Sequence, residues 1–314
     1  MSELSPFVTV IIPTRPGQAD VPALPAARQL HYPTHRIEFC IARGKQPAVQ
    51  RNEAIKAAKG EIVYFLDDDA QPRPENLERA IAHFRDPKIK MVGGPNLCPA
   101  DAPLIERVFA VVLSSWVAFG PSRARYHPVG RMRASSEKEL ILCNLLARRD
   151  ALLELGGFDA ALYPNEENAL MDNLQKRGGV LIYDPEIVAY RHPRPTLKAF
   201  IKMLLNYGRG RAEQFRLHPT PGSALNFAPP LFCAYLVLCP FLGTVGLVPL
   251  AAYALAIGAQ TLCSAVTRNP IHAFFAMPLL TITHIAYGLG FWRGLFTRLR
   301  PKTALDSEVT LERA

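Results

Sequence analysis

The last third of the sequence contains almost no charged side chains. Between Phe227 and Trp292 the only one is Arg268, although 20% of all 314 residues are Asp, Glu, Lys or Arg. Apolar runs of about 20 residues suit the thickness of a bilayer and rarely cover a surface that faces water. A chain that forms only one water-soluble domain is therefore disfavoured, and we predict membrane-associated helices in residues 223–292.

Cysteine is scarce and shows no paired spacing. There is no CxxC pair and no spacing typical of a metal site among the six cysteines, which are Cys40, Cys98, Cys143, Cys233, Cys239 and Cys263. This pattern predicts reduced, structural cysteines in a protein that faces the cytoplasm. Proline and glycine are scattered without a period, which excludes a collagen-like or disordered chain.

The N-terminus has no positively charged segment of the kind that begins a signal peptide. Its first apolar run, residues 7–13, is short and ends at Pro13, so we expect a first β-strand there. The net charge of the chain is +9, which suits nucleic acid, an anionic membrane surface or a phosphorylated substrate as the partner. The apolar segment favours the last two, and no nucleic acid is expected.

Strands and helices alternate in the first part of the chain. Residues 7–13, 36–42 and 61–66 are rich in β-branched and aromatic side chains, as expected of buried parallel strands, and residues 48–58 have a helical pattern. This alternation predicts an α/β fold in residues 1–222, with a doubly wound, Rossmann-like sheet. In such sheets ligands bind beyond the carboxyl ends of the strands.

Two further predictions concern the second half of this domain. Residues 140–146 are predicted to form another strand and residues 165–177 a helix. The next helix, residues 196–217, has apolar side chains on one face and basic ones elsewhere, which is typical of a helix that lies on a membrane surface. An ordinary docking helix is the alternative.

The apolar segment is long enough for two or three spans. Residues 228–267 predict two of them, and residues 271–292 predict a third that crosses, re-enters or lies at the interface. The basic residues that follow are Arg293, Arg298, Arg300 and Lys302. Because positive flanks stay inside, we predict two crossings, with the domain before Leu225 and a basic tail of residues 293–314 both in the cytoplasm. The predicted location is the inner (cell) membrane, as a multi-pass protein.

Three consecutive aspartates, Asp67, Asp68 and Asp69, follow the third predicted strand. Carboxylates this close repel one another, and a divalent cation removes that penalty. Mg²⁺ and Mn²⁺ prefer oxygen ligands together with substrate phosphates, and Gln71 adds a neutral oxygen two residues later. The alternative is a solvated acidic turn that begins the next helix.

Charged residues also lie near two predicted helix starts. Arg51 suits a pyrophosphate, which its guanidinium would bind, or it is an ordinary surface arginine. Glu166 and Glu167 either interact favourably with the dipole of their helix or supply a general base, because one of two close carboxylates usually has a raised pKa.

Four motifs, in this order, resemble those of the family 2 glycosyltransferases. They are VTVIIPTR, QRNEAIKAAKGEIVYFLDDDAQPRP, CNLLARRDALLELGGFDAALYPNEENAL and YDPEIVAYRHP, and the resemblance covers about residues 7–215. It implies a GT-A fold, a nucleotide-sugar donor with a UDP-sugar favoured, a divalent cation (Mg²⁺ or Mn²⁺), and inversion at the anomeric carbon.

The resemblance also implies roles for individual residues. Asp67 resembles a ligand of the nucleotide sugar and metal, Asp69 resembles the metal ligand, and Gln71 resembles a further one. Glu167 stands where the family has its catalytic base, with Glu166 beside it. The implied donor-binding residues are Pro13, Thr14, Arg15, Arg51, Asp67 and Asp68, and those on the acceptor or membrane side are His192, Arg209 and Arg211.

The sequence departs from the family pattern in two places. After the second strand most members carry aspartates that hold the base or ribose, whereas this chain has Ala42-Arg43-Gly44-Lys45, so basic residues are expected to meet the donor. The Gln-x-x-Arg-Trp motif of processive synthases is absent, which favours the addition of a single sugar over polymerisation.

The resulting hypothesis is a membrane-anchored, metal-dependent, inverting glycosyltransferase. It would move a sugar from a nucleotide sugar to a polyprenyl-linked saccharide in exopolysaccharide or cell-surface glycan synthesis. The alternative is transfer directly to polyprenyl phosphate. A nucleotidyltransferase, which also uses aspartates after a strand, and an inactive membrane subunit are less favoured. The presence of Asp67, Asp69 and Glu167 counts against the inactive subunit.

Overall fold

The computed structural model describes residues 5–162, 164–217, 219, 221–299 and 308–314, and the chain divides into two compact units. The first unit takes the described residues of Met1–Pro99, Ala124–Arg191 and Arg300–Ala314, and the second takes those of Ala100–Arg123 and His192–Leu299. These units differ from the linear division at residues 222 and 292 suggested by the sequence. Contacts between distant segments, which composition does not report, define them.

The strands are β1 (Val8–Thr14), β2 (Ile37–Arg43), β3 (Ile62–Leu66), β4 (Gln71–Pro72), β5 (Ile89–Gly93), β6 (Asn96–Leu97), β7 (Arg133–Ala134), β8 (Asn144–Arg148), β9 (Val180–Tyr183), β10 (Ala189–Tyr190) and β11 (Thr310–Arg313). The helices are α1 (Ala23–Ala27), α2 (Pro47–Ala57), α3 (Asn76–His83), α4 (Leu104–Leu113), α5 (Trp116–Phe119), α6 (Arg149–Glu154), α7 (Glu166–Lys176), α8 (Leu197–Leu217), α9 (Ala228–Leu238), α10 (Leu247–Thr267) and α11 (Pro270–Phe296).

An eight-stranded mixed sheet forms the centre of the first unit, in the order β11-β2-β1-β3-β8-β5-β9-β7. Strands β2, β1 and β3 are parallel, and β8 runs antiparallel to β3 and β5. Successive residues of β1 alternate between two apolar clusters: Ile11 belongs to one, and Val10 and Ile12 to the other. Since side chains alternate between the faces of a strand, the core lies on both sides of the sheet. The predicted doubly wound α/β fold is confirmed.

The predicted strand at residues 140–146 needs a correction. The observed strand, β8, begins at Asn144 and ends at Arg148. Leu140 and Leu142 are buried in the apolar core, but they precede the strand. An apolar run indicates burial and does not by itself distinguish a paired strand from a buried loop. The predicted first three strands agree with β1, β2 and β3 to within one residue.

The C-terminal segment adds a strand that the sequence did not predict. Strand β11 pairs antiparallel with the outer edge of β2, with Thr310 opposite Arg43, and Leu311 packs against the apolar core. This pairing covers an edge that would otherwise expose backbone donors and acceptors. Within the predicted basic tail, residues 300–307, which include Arg300 and Lys302, lie outside the described residues.

A second, three-stranded sheet of β4, β10 and β6 places Gln71 opposite Tyr190. Buried amides fix the segment that leads into β10. Asn76 Nδ2 donates to the Val188 carbonyl at 2.8 Å, and Asn144 Nδ2 donates to the Ile187 carbonyl at 2.8 Å. Because buried amides without partners are costly, these bonds hold the backbone just before Arg191 in one position.

In the second unit, α8 packs closely against α11. A Cβ at Gly208 would collide with the Tyr287 carbonyl, and one at Gly290 would collide with the Leu205 carbonyl. Small residues let two helix backbones approach in this way. One face of α8 therefore docks on α11, as the docking alternative expected, and the location of α8 on a membrane surface stays a prediction.

Three helical segments of the second unit are long and apolar enough to cross a membrane. They are Ala224–Phe241, Gly243–Thr267 and Pro270–Phe296, and a fourth candidate is a pair, Leu104–Leu113 and Trp116–Arg125, bent by 62°. Only 6% and 11% of the most apolar stretch is buried inside the protein in the first two segments, against 50% in the third. Large exposed apolar surface marks a membrane or partner contact, so the first two segments have the stronger membrane-facing character.

Candidate active site

The carboxyl ends of the three parallel strands meet at one edge of the large sheet. Thr14 ends β1 beside Arg43 at the end of β2, and β3 ends at Leu66, directly before the three aspartates. We call Asp67, Asp68 and Asp69 the aspartate triplet. Ligands of doubly wound sheets bind beyond such strand ends, so this edge is the candidate active site.

Two arginines hold the outer aspartates of the triplet. The Arg191 guanidinium contacts Asp67 Oδ2 at 2.8 Å and Asp69 Oδ1 at 2.6 Å. Arg51 Nη2 contacts the other oxygen of Asp67, Oδ1, at 3.1 Å. Burial alone would lower the pKa of Arg191, but the two carboxylates raise it well above its ordinary value. Arg191 therefore stays charged, and its contacts reduce the repulsion between Asp67 and Asp69.

Glu166, the first residue of α7, lies on the other side of Arg51. Its Oε1 is 3.5 Å from Arg51 Nη1, its side chain is buried, and its Oε2 has no hydrogen-bond partner among the described residues. Burial raises the pKa of Glu166 to about 7, although the Arg51 charge opposes this and Glu167 adds repulsion. Glu166 therefore changes its protonation near neutral pH and is linked through Arg51 to Asp67.

Glu167 faces a different arginine and is more accessible. Its Oε1 lies 3.7 Å from Arg125 Nη1, and its side chain is 17% exposed, against 4% for Glu166. Arg125 is itself fixed, since Nε donates to the Lys138 carbonyl at 2.9 Å and Nη2 to Asn168 Oδ1 at 2.6 Å. Of the two adjacent glutamates, Glu167 is thus the one that an incoming group can reach.

The buried thiol of Cys143 lies within electrostatic range of carboxylates from both α7 and the aspartate triplet. Burial raises the pKa of this thiol, and the charges of Asp67, Glu167 and Asp69 raise it further, with Arg191 opposing them. Electrostatic effects of this size act over a few ångströms. The structure therefore brings together the residues predicted from the second and third motifs.

Asn52 connects the second sequence motif to the third through two hydrogen bonds. Its Oδ1 accepts from the Phe158 N–H at 2.8 Å, and its Nδ2 donates to the Phe158 carbonyl at 2.8 Å. Gly157 has a φ of +78°, and a Cβ there would collide with Asn52 Oδ1. Glycine tolerates both the positive φ and the close approach. The turn before α7 is therefore held against α2, which also carries Arg51.

The remaining predicted donor-binding residues lie in and after β1. Pro13 and Thr14 are buried at the end of the strand, and Arg15 is exposed at the start of the loop. Gln50 Nε2 donates to the Thr14 carbonyl at 2.7 Å. Further along the loop, Gln18 Nε2 donates to Asp68 Oδ2 at 2.9 Å. The middle aspartate thus positions the loop.

Arg43 connects this loop to the end of the chain. Its guanidinium forms two hydrogen bonds to Glu312 on β11, at 2.7 and 3.0 Å, and donates to the Gln18 carbonyl at 2.5 Å. Hydrogen bonding to Arg43 lowers the pKa of Glu312. The end of β2 has no carboxylate in its own sequence, and the C-terminal strand supplies one beside it.

The oxygen atoms of this site suit a hard divalent cation. Asp67 and Asp69 present carboxylate oxygens on two sides of the Arg191 guanidinium, and Gln71 is exposed on β4. Across the described part of the chain, no three His, Cys, Asp or Glu side chains are grouped as a metal centre. Two carboxylates with an amide leave positions for substrate phosphates, which is how Mg²⁺ is usually held.

The residues predicted on the acceptor or membrane side belong to the second unit. Each has a partner within that unit: the pairs are His192–Glu106 at 2.7 Å, Arg209–Glu213 at 3.6 Å and Arg211–Gln214 at 3.2 Å. Their side chains are therefore engaged locally.

Sequence reasoning missed two arginines of the site. Arg191 directly precedes His192, and only the histidine had been singled out in that motif. Arg125 lies in a segment with several other basic residues, Arg123, Arg131 and Arg133 among them, and nothing in the sequence distinguishes it. Arg191 could have been found from the sequence, because it lies in a recognised motif. Arg125 could be identified only from the fold.

Comparison with known families agrees with this arrangement. Residues 27–152 match the sequence model of Glycosyl transferase family 2, a range that contains Arg51, the aspartate triplet and β8. Residues 27–152 therefore carry a family 2 glycosyltransferase domain.

Two curated relatives extend the similarity. Pre-mycofactocin glycosyltransferase of Mycobacterium tuberculosis is 28% identical over 199 residues, which are 62% of this chain and 40% of the relative. The succinoglycan biosynthesis protein ExoA of Rhizobium meliloti is 29% identical over 196 residues, 60% of this chain and 56% of the relative. The match thus spans about half the length of these relatives.

A solved structure shares the fold. The mannosyltransferase PcManGT of Pyrobaculum calidifontis, in complex with GDP-Man and Mn²⁺, is 20% identical, with a TM-score of 0.57 over 93% of this chain and 88% of that chain. The mixed sheet of this protein is therefore a GT-A fold, as the motifs implied.

Glu166 gives the family 2 domain a testable pH dependence. An acid whose folded pKa is about 7 and whose ordinary value is 4.5 stabilises the fold fully below pH 4.5 and loses that contribution as the pH rises through 7. We expect Glu166→Gln to remove this loss, which amounts to at most about 3 kcal/mol. Between pH 5 and 8, without nucleotide or metal, the Tm of the wild type should therefore fall relative to the variant. The control is Glu154→Gln, an exposed glutamate whose variant should show a Tm–pH profile parallel to that of the wild type. A parallel profile for Glu166→Gln as well would contradict the prediction.

The contact between Arg43 and Glu312 predicts an effect on the donor. We expect Glu312→Gln to weaken nucleoside diphosphate binding by up to about fivefold, because the contact with Arg43 is screened by solvent and therefore weak, but it orders the loop after β1. Glu308→Gln is the matched control, an exposed carboxylate just before the same strand. Titration calorimetry measures both. Equal affinities would show that β11 only covers the sheet edge.

Proposed function

We propose that the protein is a membrane-anchored, metal-dependent, inverting glycosyltransferase that transfers one sugar from a nucleotide sugar to a polyprenyl-diphosphate-linked saccharide. One observation carries this proposal: Asp67 and Asp69 are gathered with Arg51 and Arg191 at the strand ends of a GT-A sheet, and Glu167 is accessible nearby. The pairing of carboxylates with strong cations suits a diphosphate and its counter-ion.

The donor end of the reaction needs positive charge. The leaving nucleoside diphosphate gains negative charge in the transition state, and preorganised cations stabilise such charge best. Arg51 and Arg191 supply two guanidinium groups at the triplet. Asp67, Asp69 and Gln71 would hold Mg²⁺ or Mn²⁺, which when bound would supply further positive charge to the diphosphate. The GT-A neighbour PcManGT was solved with GDP-Man and Mn²⁺, which supports a nucleotide sugar and a metal here.

The acceptor end needs a base. Glu167 would take the proton from the acceptor hydroxyl while that oxygen attacks the anomeric carbon from the face opposite the leaving group, which inverts the configuration. Arg125, 3.7 Å away, would keep the Glu167 carboxylate in place. Glu166, buried behind Arg51, would position that arginine against Asp67 and would not meet the acceptor.

The apolar helices support an acceptor that resides in a membrane. Exposed side chains along the two least buried segments include Val237, Phe241, Leu255, Leu262 and Val266. The relative ExoA is named for succinoglycan biosynthesis, which supports an exopolysaccharide or related glycan as the product. We propose that the protein resides in the inner membrane, with the GT-A domain on the cytoplasmic side.

The pairing of β11 with β2 joins the last strand of the chain to the domain that precedes the apolar segment, which supports an even number of membrane crossings. We therefore expect a cysteine introduced as Glu308→Cys to react with a membrane-impermeant maleimide only after the cells are permeabilised, because residue 308 is exposed beside that strand. The wild type, with its six native cysteines, is the background control. Labelling of intact spheroplasts beyond that background would place the C-terminus outside and contradict the topology.

The function itself is tested with the full-length protein in nanodiscs. Radiolabelled UDP- and GDP-sugars with Mn²⁺ are offered together with a membrane lipid extract, and the products are separated. The proposal expects a nucleoside diphosphate and a labelled lipid diphosphate saccharide. A labelled lipid monophosphate sugar would indicate the polyprenyl-phosphate alternative, release of pyrophosphate would indicate a nucleotidyltransferase, and no turnover with any donor would contradict all three.

A further inference from the structure

A second group of charged side chains lies in the second unit. Its members, which we call the basic cluster, are Arg107 on α4, Arg123 after α5, Arg268 between α10 and α11, and His272 in the first turn of α11. Arg268 Nη1 donates to Ser114 Oγ at the end of α4, and the charge of Arg107 acts on the His272 imidazole. Basic groups from distant parts of the sequence thus lie along α4, with Arg268 at its C-terminal end and His272 near Arg107.

The basic cluster lacks a balancing negative charge. Among the described residues, none of its three arginines forms an ion pair, and the Arg107 Nε is buried without a hydrogen-bond partner. The neighbouring carboxylate on α4, Glu106, is already bound to His192. Loss of hydration, followed by the like charge of Arg123, lowers the pKa of Arg268. Like charges held together without a counter-charge cost free energy that a bound anion would recover.

The surroundings of the basic cluster are apolar. Leu104, Ile105 and Trp116 expose 45%, 39% and 56% of their surface, and the Arg123 guanidinium lies 5.3 Å from the centre of the Trp116 ring. Arg268 is the only charged residue between Phe227 and Trp292. An arginine kept inside an apolar segment is costly and usually has a functional partner. The positive charge is complementary to an anion, and the exposed apolar side chains around it are complementary to a hydrocarbon chain attached to that anion.

We propose that the basic cluster binds the diphosphate of the polyprenyl-linked acceptor, with the prenyl chain lying along the exposed apolar side chains of α4 and α5. This inference rests on the proposed function, for which it names the residues that hold the acceptor. It replaces the predicted acceptor-side residues His192, Arg209 and Arg211 in that role, because each of those has a partner within the second unit. Guanidinium groups form charge-assisted, two-pronged bonds to phosphate, which suits a diphosphate better than the single charge of a bulk anionic lipid.

The test uses the full-length protein in phosphatidylcholine nanodiscs and farnesyl diphosphate as the probe. Binding is followed by tryptophan fluorescence, since Trp116 lies at the cluster and the chain has only two tryptophans. We expect Arg123→Gln and Arg268→Gln each to weaken binding about tenfold, because each variant loses a charge-assisted hydrogen bond to the diphosphate. Farnesol should bind far more weakly than the diphosphate. Arg194→Gln, an exposed arginine of the same unit, should bind as the wild type does.

Three comparisons decide the outcome. Unchanged farnesyl diphosphate affinity in both cluster variants, with unaltered Tm, would overturn the proposal. Inorganic pyrophosphate that binds as tightly as farnesyl diphosphate would also overturn it, because the ligand would then be a free phosphate. So would variants that lose binding to phosphatidylglycerol vesicles but keep farnesyl diphosphate, since the cluster would then be a general membrane contact. UDP and GDP binding with Mn²⁺ is measured in parallel: if the wild type binds neither but binds farnesyl diphosphate through the cluster, the proposed function fails while this site stands.

Discussion

Replacing Asp69 by asparagine is expected to abolish sugar transfer while the protein stays folded. Asparagine keeps the shape of the side chain but removes the negative charge that would hold a divalent cation. The Asp69 side chain is 43% exposed, and Arg191 keeps its second contact to Asp67, so the free energy of unfolding should change by less than about 1 kcal/mol. Activity with each donor, the dependence on Mn²⁺ concentration and the Tm are measured on the same preparation.

Asp86→Asn is the matched control for this charge change. Asp86 is exposed in the loop that precedes β5, at the end of the sheet opposite the aspartate triplet. Its variant should keep wild-type turnover and metal dependence. If Asp69→Asn retains turnover, or if the wild type remains fully active in excess EDTA, the triplet does not hold a catalytic metal, and the arginines around it would have to neutralise the diphosphate unaided.

Glu167→Gln is expected to lower kcat by about 10²–10⁴-fold, which is the usual contribution of a general base. Glutamine preserves the size of the side chain and its contact with Arg125, but it cannot accept the acceptor proton. Nucleoside diphosphate affinity should therefore stay near the wild-type value. Initial rates at saturating donor and acceptor, together with titration calorimetry for the nucleotide, separate the chemical step from binding.

Glu166→Gln is the internal comparison, because it makes the same change one residue away. Glu166 is buried and contacts Arg51 at 3.5 Å, so its loss should act through the position of Arg51 and mainly weaken donor binding. A larger loss of kcat in Glu166→Gln than in Glu167→Gln would reverse the assignment. If neither glutamate reduces kcat, Asp159, in the turn that Asn52 holds against α2, is the next candidate for the base.

The arginines around the aspartate triplet explain how the folded protein tolerates three adjacent carboxylates at neutral pH. Asp67 is in contact with two guanidinium groups, and Arg51 is shared between Asp67 and Glu166. Removing one partner of such a buried network leaves an uncompensated charge, which costs more than the contact itself contributes. The residues of this network are therefore less tolerant of substitution than exposed Asp69.

The elements that the sequence predicted well are those with a strong local signal. Strands β1, β2 and β3 are β-branched runs, and their boundaries follow from the Pro, Gly and Asp residues at their ends. The triplet was placed at a strand end for the same reason. The apolar segments near residues 228–292 follow from the missing charge. Strand β8 was misplaced because Leu140 and Leu142 are as apolar as the strand itself.

The α/β alternation, the strand-end position of the aspartates and the apolar helices could all be predicted from the sequence, because each depends on neighbours a few residues apart. Which charged side chains meet depends on the fold. Arg191 contacts Asp69 across 122 residues of sequence, and Arg43 contacts Glu312 across 269. Which of the adjacent residues Glu166 and Glu167 is buried also depends on the fold. Successive residues of a helix point about 100° apart, so the packing of α7 buries the Glu166 carboxylate against Arg51 and leaves the Glu167 carboxylate more exposed.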